Sequence, residues 1–312
     1  MDACDLCGAT DFTKRAVYPE YLLFTGERFT LVTCRACGLH FVNPRPTRAA
    51  IGRYYPADYA AHLDPKPAPV AEWQRQLATE DPSSFGFLRR LWLQLREDVS
   101  WYMIPRNRGD RRILDLGAGS AKLLDIMRPL GWDTYAVELS AAAVERACAK
   151  GHKAIVGAAE DRYFEQETFD VVYMWHVLEH LHQPSRALRN VHESLRPGGQ
   201  LIVCVPNFNS AHARVFGKYW WSSDAPRHLF QFTRKTLGEY LSRAGFRNIK
   251  MTTRTGATSW VRAFRHTLNG LLRTRWQNDP AWLVGAFESM VVAGSLVRYL
   301  GVGSELRVTC ER

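Results

Sequence analysis

The sequence predicts an α/β fold, a doubly wound parallel sheet with a small cysteine-rich module fixed to its N-terminus. Three observations carry the expectation. From Arg112 onwards, apolar strand-like runs alternate regularly with amphipathic helical stretches. Before that point lie two CxxC pairs. The chain of 312 residues, 46% hydrophobic, is long enough for one full α/β core and one appendage.

In order along the chain, Cys4 and Cys7 in CDLCG and Cys34 and Cys37 in CRACG come first. Each CxxC turn lets two thiolates reach one ion, and two such turns make a closed four-sulfur site. Gly8 and Gly38 follow the second cysteine of each pair, where a residue lacking Cβ turns sharply. The expected ion is structural zinc, folding a zinc-ribbon-like module over residues 1–43 that is too small to make its own core. Iron is the other ion such a cage accepts. Cys148, Cys204 and Cys310 stand alone and read as buried or incidental thiols.

Residues 44–107 read as a linker and a helical segment. Pro44, Pro46, Pro56, Pro65, Pro67 and Pro69 exclude a long regular element up to Val70. A helix is expected over 84–102, with Phe87, Leu91, Leu95 and Val99 at four-residue spacing. The main domain, 108–312, then supplies the strands ILDLG, TYAVEL, FDVVYMW and LIVCVPN, separated by helices in KLLDIMRPLG and PSRALRNVHESLRPGG. FRNIKMTTR and SELRVTC close the sheet as a final pair, with a helical insert at about 255–302 between them.

The formal net charge of +10 favours an anionic partner: RNA, an anionic lipid surface or a phosphate-bearing metabolite. The N-terminus shows no basic, apolar, cleavable leader, so the seven cysteines are expected to be reduced in a cytoplasmic setting. No repeat, low-complexity tract or uninterrupted membrane-spanning run is present.

The most informative turn is ILDLGAGSAKLL. It places Asp115, Gly117, Ala118 and Gly119 at a strand-to-helix junction where the backbone can approach a ligand. The third glycine of a dinucleotide fingerprint is missing, since Lys122 stands there. Glu138 ends the second strand 21 residues after Gly117, and a carboxylate there can take both hydroxyls of a ribose.

These residues, with GAAED at 157–161, FDVV at 169–172 and LRPGG at 195–199, resemble the class I S-adenosylmethionine-dependent methyltransferases. The CxxCG pairs, FVNPRP, YYPADY, WHVLEHL, VPNFNS and DAPRHLFQF together resemble a bacterial branch of that family with an N-terminal zinc module. The likeness spans nearly the whole chain and weakens after residue 254. It implies a Rossmann-like seven-stranded methyltransferase fold that binds S-adenosylmethionine. By the same resemblance, Asp115, Gly117, Ala118 and Gly119 line the methionine part, Glu138 holds the ribose, and Ala159 and Glu160 lie beside the adenine. Leu139 and Trp175 complete the cofactor set. Ala121, where the family usually has a third glycine, and Ala158, where many members carry an acid, depart from the pattern. The branch is associated with sugars, surface polysaccharide precursors and secondary metabolites.

Methyl transfer is an in-line displacement, so the protein must hold the acceptor and remove its proton. His176 and His180 in WHVLEHL lie past the fourth strand, and His228 in PRHLF past the fifth, so these three are the candidate bases. Asp224 and Arg227 can meet a polar or phosphorylated acceptor, with solvent-facing surface charge as their ordinary reading, and the segment from Phe208 to Phe232 can fold over the acceptor. Trp175 and His176 replace the DPPY-type turn of amino-group methyltransferases, which favours oxygen or carbon acceptors.

In the insert, Trp260, Phe264, Leu268 and Leu271 can share a helical face with Arg262, Arg265, Arg273 and Arg275 between them, and residues 281–300 are more apolar. Packing or dimer contact is the preferred reading, with peripheral contact of residues 258–300 to the inner membrane face as the other. The expected partner is a small acceptor, such as a sugar carried on a nucleotide or lipid phosphate. The competing functions are an RNA methyltransferase, which would bind RNA with steep salt dependence, and a noncatalytic zinc-containing binding protein with no cofactor affinity.

Overall fold

Strand alternation sorts the core into two faces, and the chain is best followed from the strands outward. The structure is a computed structural model that describes residues 1–23, 25–55, 70–80, 84–90, 92–93, 102–106, 109–254, 264–265, 267–269 and 301–312. Strands β1 (Phe12–Pro19), β2 (Arg28–Cys34) and β3 (His40–Val42) form an antiparallel meander between and beyond the cysteine turns. A short helix, α1 (Arg48–Ile51), and a single 3₁₀ turn ending in the buried Tyr54 follow within the proline-rich stretch. Helix α2 (Glu72–Thr79), which the sequence pattern did not suggest, buries Ala78 against the main domain.

Residues 87–90 and 92–93 are helical, within the span expected for a helix. The face differs from the expected one: Phe87 is 73% exposed, whereas Leu93 is buried. Leu91, Leu95 and Val99 lie outside the described residues, as do most of the insert, including Trp260 and Leu271, and residues 281–300.

The main sheet begins with β4 (Arg112–Leu116), followed by helix α3 (Lys122–Met127), β5 (Asp133–Glu138), α4 (Ala141–Ala149) and β6 (Lys153–Val156). The wholly buried β7 (Phe169–Trp175), α5 (Pro184–Ser194) and β8 (Leu195–Pro206) continue the winding. Helix α5 starts with Pro184, whose missing N–H costs nothing there, and buries Ala187, Leu188 and Val191 on one face. LRPGG, read from sequence as the tail of that helix, instead opens β8: a proline and two glycines favour neither helix continuation nor its hydrogen bonds. Next come α6 (Ala211–Phe216), the two-residue β9 (Phe230–Gln231), α7 (Arg234–Arg243), β10 (Arg247–Arg254) and β11 (Glu305–Glu311). Ser140 and Thr233 cap α4 and α7 by accepting the N–H of Ala143 and Thr236.

The seven strands lie in the order β10-β11-β8-β7-β4-β5-β6, with β4 to β8 parallel and β11 antiparallel to both neighbours. This is the Rossmann-like methyltransferase arrangement, and β6 is the edge strand that its half-exposed sequence had hidden. On one face of the sheet Leu114, Val172, Met174 and Val203 pack with α5, α7 and the cysteine turns. On the other, Ile113, Val171, Tyr173 and Ile202 pack with α3 and Ala78 of α2. The strand order reverses around β4, which places a crevice at the carboxyl ends of β4, β5 and β7.

The N-terminal meander is completed by the main domain. Strand β9 adds to β3 through His40 opposite Gln231 and Phe41 opposite Phe230, giving a four-stranded sheet β1-β2-β3-β9. Asp5, inside the first cysteine turn, accepts from Ser185 N at 2.9 Å on α5 and from the Tyr240 hydroxyl at 3.0 Å on α7. Among the described residues no helix is long and apolar enough to cross a membrane.

Candidate functional site

At the carboxyl end of β4, Gly117 takes a left-handed φ of 71°, and a Cβ there would lie 2.5 Å from Val177 Cγ2. Only glycine lets the chain turn this tightly under the β7 loop. Gly119 donates its N–H to Glu138 Oε2 at 2.9 Å, and Ser140 donates to Oε1 at 3.0 Å. Glu138 is thus clamped at the end of β5 through both of its oxygens. Asp115 is buried beside it, and burial, reinforced by the Glu138 charge, pushes its carboxyl up to about 8. Two buried acids whose charges act on one another suit a ligand that brings both a positive charge and hydroxyl donors.

Leu139 follows Glu138 with 72% exposure, an apolar side chain left open at the rim. Ala159 is buried. The Glu160 carboxylate serves the scaffold: it accepts from Gln183 N at 2.8 Å ahead of α5 and pairs with Arg48 at 3.0 Å. Trp175 ends β7 between the Tyr102 ring at 5.5 Å and the Arg307 guanidinium at 5.1 Å. Ala121 occupies the left-handed region at φ 59°, the conformation for which the family pattern has glycine.

The three candidate histidines converge. His176 sits just past β7 with φ 54°, its Nδ1 3.2 Å from Glu179 Oε1 and its Nε2 3.8 Å from Glu305 Oε1 and from Cys204 Sγ. Burial opposes a charged imidazole there, but Cys204, Glu179 and Glu305 outweigh it and raise His176 well above its ordinary value. Because burial also raises the Cys204 thiol, it is the two carboxylates that keep the proton on His176. His180 and His228 meet edge to face at 4.6 Å. Burial, and then the neighbouring His228, push His180 down to about 4. His180 Nδ1 donates to the Arg227 carbonyl at 3.0 Å, and His228 Nδ1 donates to the Ser222 carbonyl at 2.8 Å.

Arg227 corrects an expectation. It is fully buried, gripping Asp224 with Nε at 3.0 Å and Glu20 with Nη1 at 2.8 Å, so it braces the site and does not face an acceptor. Glu20 also accepts the N–H groups of Leu22, Leu23 and Thr25. The segment from Phe208 to Phe232 is likewise committed: Trp220, Leu229, Phe230 and Phe232 are buried, and Phe208 and Ala225 pack with Tyr18, Leu31 and Val42 of the N-terminal sheet. The segment forms a fixed wall in place of the expected cover. Sequence reasoning missed Glu305 and Glu20, which reach the site from 129 residues after His176 and 207 before Arg227, and nothing local marks either.

The four N-terminal sulfurs come together as one cluster, with Cys4 to Cys37 and Cys7 to Cys34 both at 3.6 Å. A tetrahedral ion about 2.3 Å from each sulfur requires edges of nearly this length. Burial raises Cys4 to about 11 and raises Cys37 too, whereas at Cys34 the N–H groups of Cys37 and Ala36 overcome burial and lower it.

A family model described as a methyltransferase domain matches residues 85–251, more than half of the chain. Among curated proteins, an uncharacterized protein of Methanocaldococcus jannaschii is 26% identical over 149 residues, covering 48% of this chain and 69% of its own length. A ubiquinone biosynthesis O-methyltransferase of Pseudomonas syringae is 31% identical over 120 residues, 36% of this chain and about half (51%) of that enzyme. A solved S-adenosylmethionine-dependent methyltransferase from Archaeoglobus fulgidus aligns with a TM-score of 0.46 at 16% identity, covering 72% of this chain and 92% of that one.

Proposed function

Because this chain belongs to the methyltransferase-domain family and is an S-adenosylmethionine-dependent methyltransferase, we propose that it methylates an oxygen or carbon of a small sugar-containing or secondary-metabolite acceptor. The observation that carries the site assignment is the buried pair Asp115 and Glu138 flanking the Gly117–Gly119 turn. Bound S-adenosylmethionine supplies an electrophilic methyl group on a sulfonium. In this reading Asp115 and the turn at Gly117, Ala118 and Gly119 hold its methionine part, and the clamped Glu138 takes the ribose hydroxyls. Leu139 and Ala159 cover the adenine, with the main chain at Glu160 alongside, and Trp175 closes the floor towards the acceptor.

The acceptor lies against the wall made by His176, His180 and His228. His176, held between two carboxylates, orients or neutralises a polar group there. His180 and His228 have their Nδ1–H groups anchored on carbonyls, so their Nε2 atoms are the proton acceptors that the wall offers in the metal-free protein. An oxygen acceptor agrees with the named activity of the Pseudomonas relative. Cys4, Cys7, Cys34 and Cys37 hold a structural zinc ion in a closed site that fixes the sheet against this wall.

Calorimetric titration with S-adenosylmethionine and its demethylated product, in wild type and Glu138→Ala, tests the assignment. Binding in wild type that is lost in the variant supports it. Absence of binding by folded, metal-loaded wild type would refute the site, and an unaffected variant would refute the role of Glu138.

A further inference from the structure

We propose a second metal site, formed by Glu179, His180 and His228, for a divalent transition-metal cation of the zinc, cobalt or manganese kind. These side chains each bring one ligand atom to within 4.8 Å of the other two. They come from two elements that the fold holds rigidly together: the turn after β7, and the segment leading into β9, whose Leu229 N–H donates to the Glu179 carbonyl at 2.8 Å.

The hydrogen bonds around the cluster select a cation as its missing partner. A carbonyl oxygen can only accept, so the bonds to Arg227 and Ser222 place a proton on Nδ1 of both histidines, and the Tyr55 hydroxyl, also 3.0 Å from His180 Nδ1, shares that proton as an acceptor. In the neutral rings, Nε2 is then an unprotonated lone pair. Anchoring the far ring nitrogen on a backbone carbonyl is the support that metal-bound histidines commonly have. Glu179 is completely buried; its Oε1 is held by His176, and its Oε2 has no hydrogen-bond partner among the described residues. A buried carboxylate oxygen without a donor is costly, and a cation beside it removes the cost.

The surrounding charges agree. Glu20, Asp224 and Glu179 all sit near this wall, and the Arg227 guanidinium is spent on the first two. Two imidazoles and one carboxylate are the donor set of open zinc-type sites, in contrast to the closed four-sulfur cage, and favour a borderline transition metal over magnesium or calcium. The neighbouring trio His176, Cys204 and Glu305 makes a weaker claim, because Arg254 stands 3.4 Å from Glu305 and already supplies a positive charge.

The consequence for catalysis rests on the proposed function. An acceptor hydroxyl at the open position would bind the cation through oxygen and become more acidic, releasing its proton to solvent while the histidines serve as ligands.

The test is equilibrium dialysis of the purified protein, its endogenous metal retained, against Co²⁺, with metals counted by mass spectrometry and the visible spectrum recorded. A second ion per chain is expected, with weak d–d bands and no sulfur-to-cobalt charge transfer. It should be absent from Glu179→Gln and His228→Asn, while both variants still bind S-adenosylmethionine in the calorimeter. Binding of no added ion, a thiolate charge-transfer band as its only signature, or retention of the ion in both variants would overturn the proposal. The wild-type count and spectrum decide the matter even if a variant fails to fold. Loss of the second ion's site with cofactor binding intact would leave the methyltransferase reading standing, and the reverse would leave the metal site standing without it.

Discussion

Replacing Asp115 with asparagine should make the cofactor-free protein more stable at neutral and mildly alkaline pH, even though the residue belongs to the proposed cofactor site. Burial and the Glu138 charge raise the Asp115 carboxyl to about 8, whereas an aspartate in the unfolded chain releases its proton near pH 3.9. The folded state therefore holds a proton that the unfolded state gives up. Its contribution is fully present below about pH 4 and is lost as pH rises towards 8. At pH 7 the gap is about three pH units at about 1.4 kcal/mol each, a penalty on the order of 4 kcal/mol. Asparagine keeps the shape and needs no proton. At roughly 2–4 °C per kcal/mol for a large domain, Asp115→Asn should melt on the order of 10 °C above wild type at pH 7 to 8 and about level with it near pH 4. Differential scanning fluorimetry of both proteins across that range, without cofactor, reads the difference directly. Adding S-adenosylmethionine should stabilise wild type more than the variant. A difference in melting temperature that does not change with pH would refute the claim that Asp115 is held protonated.

Gly117→Ala should destabilise by more than Gly198→Ala. Both positions have positive φ, 71° and 75°, and cost on the order of 1 kcal/mol for that, but only at Gly117 does the new methyl meet Val177; urea denaturation and cofactor titration of the two variants check this. Arg227→Met should cost roughly 3–5 kcal/mol in the same denaturation assay, because it strands Glu20 and Asp224 without their buried counter-charge. Stripping the four-cysteine ion with a chelator should make the thiols reactive. It should also speed hydrogen exchange at Phe230 and Gln231 as well as in the meander, since among the described residues β9 pairs with no strand but β3; unchanged exchange there would argue against the coupling.

What the sequence could disclose was set by how local each signal is. Strands such as Ile113–Leu116 and Val171–Trp175 are continuous apolar runs because both faces are covered, and the acid-glycine turn lies within a few residues of the first of them, so the sheet and the place of that turn at its carboxyl edge were legible. The paired cysteines were legible because their spacing is itself the geometry. Strand β6, with no buried position among its four residues, carries no such signature. Helix α2 buries Ala78 in a cluster that Ile113 and Leu124 share, a tertiary placement that no local pattern specifies. Arg227 was misread because an isolated arginine looks solvent-facing until Glu20 and Asp224 are brought to it. Likewise, the aromatics from Phe208 to Phe232 resemble a cover until the N-terminal sheet is seen beneath them. Contacts between distant residues are decided by tertiary packing, and the histidine wall depends on several of them, from Glu305 and Cys204 to His176 and from His228 to His180.

The pairing of β3 with the two residues of β9 bears on how this protein can be recombined. A chimera that grafts residues 1–43 onto another methyltransferase would arrive with the β3 edge bare, its His40 and Phe41 main chain open to pairing with whatever strand it meets, and self-association would be the outcome. A workable transplant must carry Asp224 to Phe232 as well, and with that segment travels His228, one of the three histidines of the wall. The metal module and the acceptor wall are consequently inherited as one cassette.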